Sequence, residues 1–212
     1  VLGANDGIVS TAALVVGVAA ATTDIGAIAT AGTAGLLAGA VSMALGEYVS
    51  VSTQRDTERT LIAKETDELS RMPDEELAEL AHLLQAKGLS PELAEAAAVE
   101  LTDHDALTAH LDIELGIDQD DIVNPWAAAG ASAVAFTLGA VLPLLAILLT
   151  PASARIAVTF TAVVLALIAT GALSARLGGS PVGAAIIRLV TGGSLAMAVT
   201  FGIGALFNAS VS

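Results

Sequence analysis

The sequence has no cysteine, which removes disulfide frameworks, thiolate metal sites and thiol redox pairs. Charge is scarce too. Only 14% of the 212 residues are charged, against about 25% in soluble domains, so water is not the main solvent of this chain. There are just 8 Lys and Arg residues and no basic patch, which excludes a nucleic-acid partner. No Gly-rich phosphate loop and no Ser/His/Asp arrangement is present. The chain is therefore expected not to be an enzyme and to hold no prosthetic group. Any transport it performs is passive or driven by an ion gradient.

What is abundant is apolar. Hydrophobic residues make up 55% and the mean hydropathy is +0.78. Five stretches stand out: Val1–Thr22, Ile25 to beyond Met43, Pro125–Thr150, Ile156–Ala175 and Leu189–Asn208. Each can supply the roughly 20 helical residues that cross a hydrocarbon core of about 30 Å. Within the first, Ile8–Ala21 ends in Ala19-Ala20-Ala21, like a signal peptide, but it follows Asn5-Asp6 instead of the basic segment that a signal peptide needs. It is read as a span. The fold class is thus all-α: an integral, multi-pass membrane protein with five transmembrane helices in the lipid bilayer. Its parts are residues 1–52 (spans 1 and 2), 53–122 (an acidic insert) and 123–212 (spans 3 to 5).

The net charge of −14 belongs entirely to the insert, which holds 19 Asp and Glu, 5 Lys and Arg, and all three histidines. With the insert cytoplasmic, every basic residue except Arg155 lies inside, as the positive-inside rule requires. Trp126 then falls where an interfacial anchor sits. The second span has no Gly or Pro between Glu47 and Met72 and is expected to run on out of the membrane. Pro73 opens a helix that Gly88 stops, Ser90-Pro91 opens another over Glu92–Leu101, and a third runs from Thr102 or Asp103 to Gly116. Asp118, Asp120 and Asp121 lead back to the membrane. The pairs Gly3/Gly7 and Gly35/Gly39 let helix backbones approach closely, and this face is expected to pack between subunits.

Within the insert, Glu65 and Glu68 share one helix face, and Glu76, Glu79 and His82 repeat the spacing of three beyond Pro73. On the last helix His110 and Glu114 are four apart. Helical bundles hold di-metal centres with carboxylate pairs and Glu-x-x-His elements. The same residues also read as an ordinary solvated face, with Asp74, Glu75 and Glu76 favouring a helix N-terminus; both readings stand on spacing alone. His104, beside Asp103 and Asp105, reads equally as surface or ligand. Glu76-x-x-Glu79-x-x-His82 is the sole support for an oxidase centre. In the spans, Asp6 is either a functional carboxylate at membrane depth or part of an Asn5-Asp6 helix cap. Glu47 is either a pathway residue or an interfacial one beside Tyr48. Met43, one turn from Glu47, offers a soft thioether ligand.

Asn5-Asp6-Gly7-Ile8-Val9-Ser10-Thr11, then Ser42-Met43-Ala44-Leu45-Gly46-Glu47-Tyr48-Val49-Ser50, followed by a Glu-rich insert, resembles the vacuolar iron transporter family along essentially the whole chain. The resemblance implies a homodimer of five-span subunits whose first spans line an ion path between the subunits. It implies export of Fe²⁺ and related divalent ions (Mn²⁺, Co²⁺, Zn²⁺) from the cytosol in exchange for protons. It makes Asp6 and Met43 pathway ligands and puts Glu65, Glu68, Glu76, Glu79 and Glu114 on the family's metal-binding glutamates. Two departures matter. Where plant members carry two methionines, this chain reads His110-Leu111, so His110 stands in place of the soft ligand. Gly35 falls where those members have a glutamate, which puts the proton route in question.

The expected function is therefore divalent transition-metal transport, with carboxylates of the insert gathering ions and Asp6/Met43 passing them. The alternative is a membrane-anchored metal store or sensor without flux. Compactness favours a prokaryotic inner membrane over a vacuolar one.

Overall fold

Backbone polar groups in hydrocarbon have no water to bond, so an apolar chain satisfies them internally as helix. A computed structural model describes residues 2–118 and 123–211. Asp120, Asp121 and the insert's last residue, Ile122, lie outside the described residues. Among the described residues seven α-helices follow one another: α1 (Leu2–Ala21), α2 (Ile25–Arg71), α3 (Pro73–Ala86), α4 (Pro91–His110), α5 (Pro125–Leu149), α6 (Arg155–Leu177) and α7 (Val182–Val211). A π-helical turn, Leu111–Leu115, extends α4. Five of these, α1, α2, α5, α6 and α7, are long and apolar enough to cross a membrane. The protein is a multi-pass membrane protein.

The turn between the first two spans is closed locally. The Thr22 hydroxyl accepts from the Asp24 amide at 3.1 Å, and the Asp24 carboxylate accepts from the Gly26 amide at 2.8 Å, so Asp24 caps α2. Helix α2 then continues unbroken for 47 residues. Helix α7 starts at Val182, right after Pro181 and seven residues earlier than hydropathy suggests. Exposed Arg188 is carried inside the helix; a long basic side chain reaches water without ending a helix.

The chain divides into two units, Val1–Tyr48 with Trp126–Ser212, and Val49–Pro125. In the first, α1 is the central element and packs against α6 and α7. Ile8, Ala12 and Val16 of α1 close a core with Val163 and Leu167 of α6 and Met197 of α7. Tyr48 and Trp126 pack with their rings tilted by 48° and their centroids 4.6 Å apart, a pair suited to the headgroup level.

Glycine sets how near the spans come. A Cβ on Gly7 would run into the Phe136 carbonyl of α5, one on Gly139 into the Ala4 carbonyl of α1, and one on Gly204 into the Gly17 carbonyl. Two backbone crossings, α1 with α5 and α1 with α7, thus leave no room for a side chain. Gly39 faces the Phe136 ring and Gly35 the Leu14 side chain. This corrects the expectation that Gly3/Gly7 and Gly35/Gly39 pack between subunits: Gly3 and Gly7 are buried within the chain, and all four glycines serve intramolecular crossings. Outward instead point Leu37, Val41, Leu45 and Val49, a stripe on α2 spaced by four and each more than half exposed.

The second unit has its own core, in which Leu80, Ala81 and Leu84 of α3 meet Ala94, Ala98 and Ala109 of α4. The insert's second and third predicted helices are one element with a break at Asp105, whose backbone is extended (φ −164°, ψ 94°). Asp105 accepts from the Thr108 amide at 3.0 Å and from its hydroxyl at 2.9 Å. The restart therefore lies two or three residues beyond the predicted Thr102 or Asp103, because Asp105 is the side chain that caps it. Gly116 ends the element in the left-handed conformation (φ 64°), as predicted for a C-terminal glycine.

Gly139 and Gly130 lie on the same helix, but nothing approaches a Cβ at Gly130 within 4 Å. Gly139→Val is expected to lower the thermal midpoint in detergent by an amount equivalent to about 1–3 kcal/mol or more. Gly130→Ala should leave it unchanged or raise it by up to about 1 kcal/mol. Equal effects at the two sites would contradict the tight α1/α5 crossing.

Candidate metal centres

In the second unit, Glu65 and Glu68 ride on α2, Glu76 and Glu79 on α3, and His110 ends α4. The chain reverses tightly at Met72, whose amide bonds the Glu68 carbonyl at 2.8 Å. Pro73 then starts α3, which puts Glu76 in its first turn. Docking of α3 on α4 through Leu80, Ala94 and Ala98 carries His110 to the same place.

The His110 ring is fully buried, with Nδ1 3.0 Å from Glu65 Oε1, 3.5 Å from Glu114 Oε2 and 3.8 Å from Glu76 Oε2. Glu65 and Glu76 are buried as well. One ligand atom from each of Glu65, Glu76 and His110 lies within 4.8 Å of the others. Despite these distances, Glu65 Oε1, Glu114 Oε2 and both ring nitrogens have no hydrogen-bond partner among the described residues. The donors and acceptors converge on a common space and are not aligned on one another. The π turn contributes. Its bond from the Gly116 amide to the Leu111 carbonyl takes up one more residue than an α turn, and Glu114 lies within it, four residues from His110.

Negative charge exceeds positive here. Burial first, then the Glu114 carboxylate, raises the Glu65 pKa above its ordinary value, and the His110 ring lowers it less. Burial first, then Glu79, raises that of Glu76. Lys64 pairs with Glu68 at 2.7 Å, which raises the Lys64 pKa, but that side chain is exposed. A divalent cation is what such a cluster of carboxylates would take up.

Of the residues singled out from the sequence, Glu65, Glu76, His110 and Glu114 meet. Half-buried Glu68 and exposed Glu79 lie at the edge, close enough to act on Glu76. His82 does not join them: it is exposed and lines a separate groove with Asp74 and Glu95. Each step of three residues turns about 60° back around an α-helix, since a residue advances about 100°. Two steps put His82 about 120° away from Glu76. His104 is exposed in another groove, beside Asp105 and Asp112.

In the first unit, Asp6 and Met43 line one cavity of about 210 Å³ with Ser10, Thr11, Ser42 and Phe136. Asp6 is in the second turn of α1, which starts at Leu2, so it is not a helix cap. The Ser10 hydroxyl donates to the Asp6 carbonyl at 2.6 Å and leaves the carboxylate free of that bond. Gly35 and Gly39 open the α2 side, and among the described lining residues Asp6 is the only carboxylate. Glu47 is exposed and does not line the cavity; its neighbour Tyr48 packs against Trp126. Phe136 was not readable from the sequence, because only tertiary packing brings α5 to this place.

A family model described as the VIT family matches residues 1–205. The chain is 41% identical over 207 residues to the vacuolar iron transporter of Acanthamoeba castellanii, covering 97% of this chain and 76% of that one. It is 36% identical to vacuolar iron transporter homolog 4 of Arabidopsis thaliana, over 95% of this chain and 79% of the other. With vacuolar iron transporter homolog 1 of rice (Oryza sativa subsp. japonica) the identity is 38%, over 98% and 72%.

Raised carboxylate pKa values set the sign of a stability effect. Glu65 and Glu76 hold protons more tightly folded than unfolded. Their stabilising contribution is full below the ordinary carboxylate range of about 4.3 and is lost as pH rises through the raised values. The chelator-treated protein should therefore melt at a lower temperature at about pH 8 than at about pH 5. Glu65→Gln should flatten that slope, and added Zn²⁺ at about pH 8 should recover the midpoint. A midpoint that rises with pH without metal would contradict the repulsive cluster.

Proposed function

The chain belongs to the VIT family, and from that premise we propose that it transports divalent transition-metal ions, Fe²⁺ foremost, out of the cytosol in exchange for protons. The observation that carries the reading is the cavity between α1 and α2 that Asp6 and Met43 both line. A carboxylate at membrane depth costs about 2.5–3.5 kcal/mol on insertion scales. A cation in the cavity offsets that cost, and the carboxylate offsets part of the ion's lost hydration. The Met43 sulfur favours transition metals over Mg²⁺ and Ca²⁺. The serine and threonine hydroxyls supply further oxygen ligands.

Two tiers follow. The insert, taken as cytoplasmic by the positive-inside rule, captures ions with Glu65, Glu76 and Glu114, with Glu68 and Glu79 at the edge. The cavity then passes them, and Asp6 holds cation or proton in turn. The exposed stripe Leu37, Val41, Leu45 and Val49 is on the helix that lines the cavity, and a homodimer formed there would set two cavities side by side in the bilayer. A metal store or sensor would account for the insert but gives the Asp6/Met43 cavity no work. The localisation that fits is a prokaryotic plasma membrane.

Initial flux against ion concentration in proteoliposomes tests the two tiers. Asp6→Asn removes the charge that offsets dehydration, and flux should fall by orders of magnitude, since each 1.4 kcal/mol is about tenfold. Replacing Glu65, Glu68, Glu76 and Glu79 together by Gln should reduce flux at low concentration and spare it at saturation. Met43→Leu should slow Fe²⁺ and Co²⁺ more than Mn²⁺. Saturating flux lost in the quadruple variant and kept in Asp6→Asn would overturn the proposal, and binding without flux would favour the store.

A further inference from the structure

We infer that His110 is a direct metal ligand through Nδ1 and that it sets the ion preference of the insert, towards Zn²⁺, Co²⁺ and Fe²⁺ and against Mn²⁺ and the alkaline-earth ions. The inference rests on the capture role proposed for the insert, and it names which ions that site selects.

The ring's surroundings leave few other roles. A buried polar group is ordinarily hydrogen-bonded, yet neither nitrogen of fully buried His110 has a partner among the described residues. A protonated ring serving as counter-ion would donate to a carboxylate. Nδ1 lies 3.0 Å from Glu65 Oε1, but neither atom is in a hydrogen bond. The separations from Nδ1 of 3.0 and 3.5 Å, to Glu65 and Glu114, resemble the edges of a coordination polyhedron, and Glu76 at 3.8 Å stands just outside that range. Bonds of about 2.0–2.2 Å to a common ion put neighbouring ligands about 3.0–3.5 Å apart at octahedral or tetrahedral angles. All three carboxylates face the same nitrogen, so Nδ1 marks where the ion sits against the ring.

Preference follows from ligand type. Oxygen ligands alone suit Mg²⁺, Ca²⁺ and Mn²⁺, whereas imidazole suits Zn²⁺, Fe²⁺, Ni²⁺ and Cu²⁺, and affinity climbs from Mn²⁺ through Fe²⁺ and Co²⁺. Glu65, Glu76 and Glu114 provide charge without discrimination. One buried nitrogen provides the discrimination.

The test uses the full chain in detergent, stripped with chelator, with Zn²⁺, Co²⁺ and Mn²⁺ as separate probes in equilibrium binding. Two variants are compared: His110→Gln, which keeps a polar side chain, and His110→Met, which fills the buried site with no hydrogen-bonding demand. Both should weaken Zn²⁺ and Co²⁺ by at least about 10- to 100-fold, the scale reached when a group that only supports a ligand is lost, and Mn²⁺ by less than about threefold. Glu65→Gln should weaken all three ions and keep their ratio. Equal changes for Zn²⁺ and Mn²⁺ in both His110 variants, no change included, would overturn the assignment. Flux in liposomes separates it from the transport proposal. Wild-type protein that binds with this preference but carries no ion refutes transport and leaves the ligand standing. Flux with an unchanged Zn²⁺/Mn²⁺ ratio in the variants refutes the ligand and leaves transport standing.

Discussion

Asp6 stands on α1 beside Gly7, and the missing side chain of Gly7 is what lets α1 lie against the Phe136 carbonyl of α5. The membrane cavity depends on that approach. Gly139 and Gly204 repeat the arrangement from the α5 and α7 sides, so α1 is held at backbone distance by two neighbours. In hydrocarbon, where lipid tails are as apolar as leucine, close packing replaces the hydrophobic effect as the force between helices. The same crossing turns Phe136 towards Gly39, and both line the cavity with Asp6. Asp6 and Met43 thereby line one cavity whose walls are set by contacts that carry no charge.

The acidic unit solves the opposite problem. Its apolar core between α3 and α4 is small, and with it goes a buried cluster in which burial first, and neighbouring carboxylates second, raise the pKa values of Glu65 and Glu76. Burying like charges works against folding unless a proton or cation intervenes. On the proposed capture role, stability and ion binding would be coupled in this unit, because a bound cation would relieve the repulsion. In the spans, helix packing positions the candidate site; in the insert, a bound ion would be what holds the carboxylates together.

Much of this could be read from residues alone, for physical reasons that differ by place. The five spans follow from hydropathy because each is a continuous local signal. The start of α7 was missed because Arg188 looks like a boundary, although a basic side chain can extend to water from within a helix. The pairing of Asp6 with Met43 came from a resemblance and not from spacing, since the two residues are on different helices. Glu65, Glu76, Glu114 and His110 were each legible as candidates. Their convergence was not, because it needs the α3/α4 docking and the π turn at Leu111–Leu115. His82 entered through an i, i+3, i+6 pattern that drifts around the helix. Gly3 and Gly7 were recognised as a packing face, but sequence cannot tell whether the opposite backbone belongs to the same chain.

The central claim is that metal passes through the membrane unit in exchange for protons. Its most direct test is the wild-type protein in liposomes carrying metal-sensitive and pH-sensitive dyes inside, with external Fe²⁺ kept reduced. The account predicts faster metal entry when the interior is acidic than when the pH is equal on both sides, together with a rise in internal pH as metal arrives. Metal entry at one rate whatever the gradient, with no proton counterflow, or no entry at all, would contradict it.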